Sequence, residues 1–174
     1  MSFKTATLSA TLSATLLAAG FVSPSFAEST GDLTLTIAGE EQVVPLWGTQ
    51  SDWSGGENWP SISLYARSFN DKGEDPLVVS LSFDAAGWKP SQSEMRLSRY
   101  KDGEAVLKLF ANEDEEDGAL SVTLESHEVD GAMLRLTGSV EGMLGTSDNY
   151  GRDINLSDGV PVEGTFAVAL EELE

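Results

Sequence analysis

The sequence predicts an all-β protein: an antiparallel β-sandwich of about nine strands that follows a cleaved N-terminal signal peptide. Apolar and polar residues alternate with a period of two along most of the chain, which is typical of strands with one buried and one solvated face. Asp-Gly pairs lie between alternating segments at the spacing of β-hairpins. After the N-terminal apolar segment, no stretch has the period of an amphipathic helix.

The N-terminus has the three parts of a secretory signal peptide. Lys4 supplies a positive charge, an apolar stretch runs from Leu12 to Val22, and the small-x-small triplet Ser25-Phe26-Ala27 ends the segment. We expect cleavage after Ala27. The apolar stretch is shorter than the about 20 residues that span a bilayer, so we expect no membrane insertion after cleavage and a periplasmic or secreted location. Residues 28–174 then form a single domain.

The alternating segments are predicted as strands. In chain order they are Asp32 to Ile37, Gln42 to Trp47, Ser61 to Arg67, Leu77 to Phe83, Glu94 to Lys101, Glu104 to Phe110, Leu120 to Val129, Ala132 to Val140 and Val162 to Glu171. Pro45 has no N–H to donate to a neighbouring strand, so the second strand is predicted at an edge or a bulge.

Short turns connect many of these strands. Asp102-Gly103 and Asp130-Gly131 each predict a type I′ turn, because Asp and Gly accept a positive φ at both central positions. Ala38-Gly39 predicts the turn after the first strand. Sequential hairpins can form two packed sheets or close into an up-and-down β-barrel. We favour the sandwich because strand lengths are uneven and two long segments, Gly48 to Pro60 and Met143 to Pro161, interrupt the hairpins.

Composition excludes several classes of function. The chain has 29 acidic and 10 basic residues, with a formal net charge of −19, so it repels phosphate backbones and anionic lipid surfaces, and we expect no nucleic-acid partner. It has no cysteine and one histidine, which excludes thiol chemistry and a multi-histidine zinc site. That histidine, His127, lies in a predicted strand and no G-x-S-x-G motif is present.

The strongest candidate site is the segment from Leu46 to Pro60. Three of the four tryptophans lie there among Gly, Ser, Asp, Glu and Asn, a composition typical of sugar-binding surfaces. We predict Trp53 and Trp59 as stacking residues, with Asp52 and Asn58 as hydrogen-bonding residues. The alternative is that these tryptophans bury their large side chains in the core or over one end of it.

Acidic segments are candidate calcium sites. Asn112 to Gly118 is rich in carboxylates, which suit Ca²⁺, but its spacing departs from the EF-hand loop. An acidic run between two strands is more often a solvated loop. Asp148 to Asp153 is a similar segment, in which Arg152 is expected to pair with the carboxylates. We therefore predict no metal site.

The first and last strands resemble those of a group of known proteins. The segments Leu33-Thr34-Leu35-Thr36-Ile37-Ala38-Gly39 and Val162-Glu163-Gly164-Thr165-Phe166-Ala167-Val168-Ala169-Leu170 are similar to the opening and closing strands of small exported proteobacterial β proteins of unknown function. The resemblance implies a periplasmic β-sandwich and adds no site residue.

Three functional hypotheses follow. The one we favour is an exported, non-enzymatic β-sandwich that binds a ligand or a protein partner. Its ligand would be a carbohydrate bound by the Trp-rich segment from Leu46 to Pro60, and we expect no cofactor. The second is a structural or adhesion module that responds to calcium. The third is a small glycoside hydrolase that acts through two carboxylates, although 29 acidic residues do not single out a pair.

Overall fold

The computed structural model describes residues 28–68 and 76–173. The predicted signal peptide, residues 1–27, lies outside the described residues. Strands dominate the described part, and none of its helices is long and apolar enough to cross a membrane. The all-β fold class is therefore confirmed.

Ten strands form the sheet. They are β1 Thr30–Ile37, β2 Glu40–Pro45, β3 Asp52–Ser54, β4 Ser61–Ser68, β5 Leu77–Ala86, β6 Lys89–Lys101, β7 Glu104–Asn112, β8 Ser121–Asp130, β9 Met133–Thr146 and β10 Asn155–Glu172. Short 3-10 turns lie at Gly48–Gln50 and Glu115–Asp117. Every predicted strand is present, whereas β3 was not predicted and β10 begins well inside the predicted long segment.

Two of the three predicted turns form as expected. Ala38 and Gly39 have φ angles of 53° and 82°, and Asp102 and Gly103 have φ angles of 52° and 82°, as a type I′ turn requires. The predicted position of the third turn, Asp130-Gly131, was wrong by one residue. Asp130 pairs with Met133, so Gly131 and Ala132 are the central residues of that hairpin, and the positive φ is at Gly131.

The sheet has the strand order β2-β1-β10-β3-β4-β5-β6-β7-β9-β8, with an additional pairing of β10 with β9. Pro45 ends β2 at one edge of this order, as predicted. Strand β10 is long enough to pair with β1 and β9 along its two sides, and its last residues pair with β3. Pairing therefore runs from β10 to β3, on through β4, β5, β6 and β7 to β9, and from β9 back to β10. These strands form a closed circuit.

One hydrophobic cluster fills the inside of the sheet. Alternate residues of the strands supply it, as the period of two predicts. The rings of Phe83 on β5 and Phe166 on β10 lie 6.2 Å apart, although these strands are not neighbours in the sheet. The sheet therefore curves over its core, with one surface of each strand facing inward and the other facing solvent.

The outward surfaces form two regions with different chemistry. We call the outward surface of β3 to β7 the serine face, after Ser63, Ser80 and Ser82 at its centre. We call the outward surface of β2, β1, β10, β9 and β8 the threonine face. Its central row, in register across four strands, is Thr34, Thr165, Ser139 and Thr123.

Candidate functional site

Trp53 does not contribute to a ligand-binding surface. Its side chain is 1% exposed, and its indole Nε1–H donates a hydrogen bond of 3.0 Å to the carbonyl oxygen of Ala132. The residue belongs to the short strand β3, where Trp53 pairs with the buried Ile62. Burial leaves neither face of the indole ring accessible, so the predicted stacking role of Trp53 is wrong and the alternative of a core residue holds for it.

The other three predicted site residues lie at or near the serine face. Asp52 precedes Trp53 on β3, so strand alternation turns its side chain to the outward surface, where it pairs in register with Ser63. Trp59 is 61% exposed in the turn between β3 and β4. Asn58 is exposed in the same turn, and its carbonyl oxygen accepts a hydrogen bond from the N–H of Gly87.

A polar cleft of about 490 Å³ lies over β5, β6 and β7 on the serine face. We call it the serine-face cleft. Ser80 and Ser82 form its floor, and Glu94, Arg96 and Asn112 line it from β6 and β7. The floor is low at Ser80 because this serine lies in register between two larger residues, Tyr65 on β4 and Arg96 on β6. Its volume falls within the about 300–1,000 Å³ of small-molecule sites.

The segment between β9 and β10 forms one wall of the serine-face cleft. Ser147 Oγ accepts hydrogen bonds from the backbone N–H groups of Asn149 and Gly151, and the Asn149 side chain donates to Asp153 at 2.6 Å. These bonds hold Tyr150 at a φ of 64°, with 81% of the residue exposed. A large aromatic side chain held in a left-handed backbone conformation and open to solvent is a candidate contact residue.

Phe110 supports this wall from below. It is 6% exposed, and a Cβ atom added to Gly151 would lie 2.9 Å from its ring. Glycine at 151 therefore permits the segment to lie directly on the Phe110 ring. The guanidinium of Arg96 lies on the same ring, with its Cζ 5.6 Å from the ring centroid.

A smaller hollow of about 250 Å³ continues the cleft toward β3. Ser82 lines both the serine-face cleft and this smaller hollow. Asp52, Asp84 and Gln92 also line the smaller hollow. Asp84 accepts a hydrogen bond of 2.5 Å from Ser61 Oγ. Desolvation by burial raises the pKa of the Asp52 carboxyl above its ordinary value of 3.8, because the low-dielectric surroundings penalise the charged form.

The acidic segment before β8 is a structural element. Asp117 accepts hydrogen bonds from the side-chain amide of Asn112 and from the N–H of Ile154, which connects it to the wall of the cleft. Its neighbour Gly118 has a φ of 116°. Within residues 28–68 and 76–173, no group of three or more acidic or histidine residues is placed to hold a metal ion.

His127 does not line this cleft and forms a separate contact. Its ring stacks on Trp88 with centroids 3.9 Å apart and planes inclined by 14°. Trp88 lies in the turn between β5 and β6, so the pair connects that turn to β8. His127 is in a strand, as predicted, and no nucleophile is hydrogen-bonded to it among the described residues.

Sequence reasoning missed most of the serine-face cleft. Ser80 and Ser82 alternate with buried residues of β5, which predicted an outward surface but no concavity. Tyr150 and Arg152 belong to a segment that was considered only for calcium. Arg152 was expected to pair with its carboxylate neighbours, and this expectation was wrong: among the described residues it forms no ion pair. Comparison of the chain with family models, curated proteins and solved structures found no match.

Proposed function

We propose that this protein is an exported, non-enzymatic β-sandwich that binds a carbohydrate in the serine-face cleft. The observation that carries the proposal is the composition of that cleft. A floor of small hydroxyl residues, carboxylate and amide groups at its sides, and one strongly exposed aromatic ring lie together around about 490 Å³. Sugar hydroxyls need paired donors and acceptors, while the apolar C–H face of the ring packs on an aromatic side chain.

The sandwich interpretation is supported by the contacts across the core. Strands β2, β1, β10, β9 and β8 pair in sequence on one side, and β3 to β7 pair in sequence on the other. Only short pairings join the two groups: two residue pairs between β10 and β3, and one between β7 and β9. Long sheets joined by such brief pairings are better described as two packed layers than as an evenly closed barrel. The signal-peptide pattern of residues 1–27 supports export.

Titration of the protein with monosaccharides and disaccharides, followed by thermal unfolding, tests the proposal. A ligand that binds only the folded state stabilises it by about 2.7 kcal/mol at one hundred times its dissociation constant. Tyr150→Asn removes the ring and tolerates the left-handed backbone, and Tyr150→Phe retains the ring. We expect Tyr150→Asn to weaken binding at least about tenfold, or about 1.4 kcal/mol, and Tyr150→Phe to retain most of the affinity.

The matched control is Thr165→Ala on the threonine face, where an exposed hydroxyl is removed from the other outward surface. We expect it to leave sugar binding unchanged. Equal loss in Tyr150→Asn and Thr165→Ala would show that the serine-face cleft is not the site. A flat response to every sugar would contradict carbohydrate binding itself and would direct the search to a protein partner.

Hydrolysis is a second candidate function, favoured by the pair of carboxylates in the smaller hollow. Burial raises the pKa of Asp52, so it is the group suited to donate a proton, and Asp84 is fixed by Ser61. Glycosidases use two carboxyl groups with such different environments. Turnover of aryl glycosides that is abolished in Asp52→Asn and in Asp84→Asn, but not in Asp32→Asn on the threonine face, would establish it. No turnover by the wild-type protein would remove it.

A further inference from the structure

Two arginines line the serine-face cleft without a carboxylate partner. Arg96 comes from β6 and Arg152 from the segment before β10. The chain has 29 acidic residues and 10 basic ones, so carboxylates far outnumber the cations. Arg135 on the threonine face pairs with one of them, with its Nη1 3.7 Å from Glu128. Among the described residues, however, neither Arg96 nor Arg152 forms an ion pair.

The position of Arg96 is fixed without an ion pair. Its strand places it between Ser80 on β5 and Phe110 on β7, and its guanidinium lies over the Phe110 ring. Stacking on an aromatic ring stabilises a guanidinium and leaves its N–H donors available at the edge. The group is therefore held in place while its hydrogen-bonding capacity remains open toward the cleft.

The three carboxylates that line the cleft form no ion pair with these two cations. Asp117 already accepts two internal hydrogen bonds, from Asn112 and Ile154. Neither Glu94, two residues from Arg96 on the same side of β6, nor Asp114 is paired with either arginine. The cleft thus combines two unpaired guanidinium groups with separate carboxylates. Such carboxylates suit the hydroxyl groups of a ligand, because they act only as acceptors.

We infer that the ligand of the serine-face cleft is a small sugar acid, a uronic acid or a short oligosaccharide with one uronic acid residue, whose carboxylate is bound by Arg96 and Arg152. This inference rests on the proposed carbohydrate binding. A guanidinium and a carboxylate form paired, charge-assisted hydrogen bonds, which are the strong ones in proteins. Tyr150 covers the apolar face of the sugar ring, and Glu94 and the serines bind its hydroxyl groups.

The net charge of the chain limits the ligand to a small one. A net charge of −19 repels a long polyanion over its whole length. At physiological ionic strength such repulsion is screened beyond about 8 Å, so one carboxylate in the cleft interacts mainly with the two nearby guanidinium groups. The cleft volume of about 490 Å³ also suits one or two sugar rings better than an extended polymer.

Binding of glucuronate, its methyl ester and glucose, followed by NMR titration, tests this inference. Galacturonate, its methyl ester and galactose form a second matched series. The ester retains the ring and the hydroxyl groups but loses the negative charge. Because a hydrogen bond to a charged group is stronger than one to a neutral group, we expect the acid to bind at least about tenfold more tightly than the ester. Arg96→Gln and Arg152→Gln should each reduce this preference, because the affinity for the acid should fall by a larger factor than the affinity for the ester.

Arg135→Gln is the control variant, because it removes a guanidinium that is already paired on the threonine face. We expect it to change neither affinity. Equal binding of acid, ester and neutral sugar, sensitive to Tyr150→Asn, would overturn the inference and leave carbohydrate binding intact. A preference for the acid over the ester that is unchanged in both Arg96→Gln and Arg152→Gln would also overturn the inference. Failure of every sugar in both series to bind would contradict the inference and the proposed function together.

Discussion

The serine face and the threonine face have similar floors but different borders. Both expose rows of small hydroxyl residues in register across neighbouring strands. The hollows on the threonine face, about 620 and 470 Å³, are of comparable size to the serine-face cleft. No Phe, Tyr or Trp lines them in the described part of the chain, and Arg135 is paired there. Concavity and hydroxyl groups are common to both faces. The unpaired guanidinium groups of Arg96 and Arg152 and the exposed ring of Tyr150 set the serine-face cleft apart, and for this reason we propose it as the binding surface.

The largest effect is expected at Trp53, which joins the two faces. Its strand pairs with β4 on one side and with the end of β10 on the other, and its indole binds Ala132 in the β8–β9 turn. Trp53→Ala leaves a cavity at this junction and should lower the free energy of unfolding by about 3–5 kcal/mol, measured by urea denaturation. Trp59→Ala, at an exposed turn position, should change it by less than about 0.5 kcal/mol. Similar losses in the two variants would contradict the assignment of Trp53 to the core.

A second prediction tests the two floors directly. Ser82 belongs to both hollows of the serine face, and Ser139 stands at the centre of the threonine face. Both residues lie within strands, where Tyr is well tolerated. Ser82→Tyr fills the cleft and should weaken sugar binding by at least about tenfold, or about 1.4 kcal/mol, whereas Ser139→Tyr should not change it. The measurement is ligand titration of both variants after unfolding curves show that they remain folded. Loss of binding in Ser139→Tyr alone would move the site to the threonine face.

Most strands could be predicted from the sequence because alternation of buried and exposed residues is a local property. Strands β5 and β10 show this clearly, since each alternates over its predicted length. Strand β3 could not be predicted. It has only three residues, too few to show a period, and it exists because β4 and β10 provide partners on both sides.

The candidate site could be predicted only in part, for a related reason. Asp52 and Trp53 are neighbours in the sequence, but their opposite orientations follow from a strand that the sequence did not reveal. The hydrogen bond that fixes Trp53 joins residues 79 positions apart. The cleft likewise depends on Tyr150 lying over β7, which is decided by the fit of Gly151 on Phe110. Nothing local to residues 147–154 indicates that contact.

The third prediction concerns the second junction between the faces, the stacked pair of Trp88 and His127. Stacked aromatic rings stabilise a contact by about 0.5–1.5 kcal/mol beyond the burial of their surfaces. A double-mutant cycle with Trp88→Asn and His127→Gln, measured by urea denaturation, should therefore give a coupling energy of about 0.5–1.5 kcal/mol. Asn is chosen at 88 because the φ of Trp88 is 62°. A coupling energy of zero would show that the stacked pair does not stabilise the junction.

The smallest effect is expected for Asp52→Asn. Burial raises the pKa of Asp52 in the folded protein above 3.8, so the folded state holds this proton more tightly than the unfolded state. At a pH below the pKa that Asp52 has in the unfolded chain, the carboxyl is protonated in both states and does not affect the free energy of unfolding. As the pH rises through the pKa of Asp52 in the folded protein, the carboxyl becomes charged and this buried charge destabilises the fold. Asn is neutral throughout, so Asp52→Asn should gain stability relative to wild type at pH 7, and this gain should shrink at pH 4.

Urea denaturation at the two pH values measures this difference. Asp32→Asn, an exposed aspartate on the threonine face, controls for the general effect of removing one negative charge from a chain of net charge −19. A gain for Asp52→Asn that exceeds the gain for Asp32→Asn at pH 7 assigns the difference to desolvation in the smaller hollow. If the Asp52→Asn gain is the same at both pH values, the hollow is more solvated than its geometry indicates, and Asp52 is not the proton donor that a hydrolytic function would need.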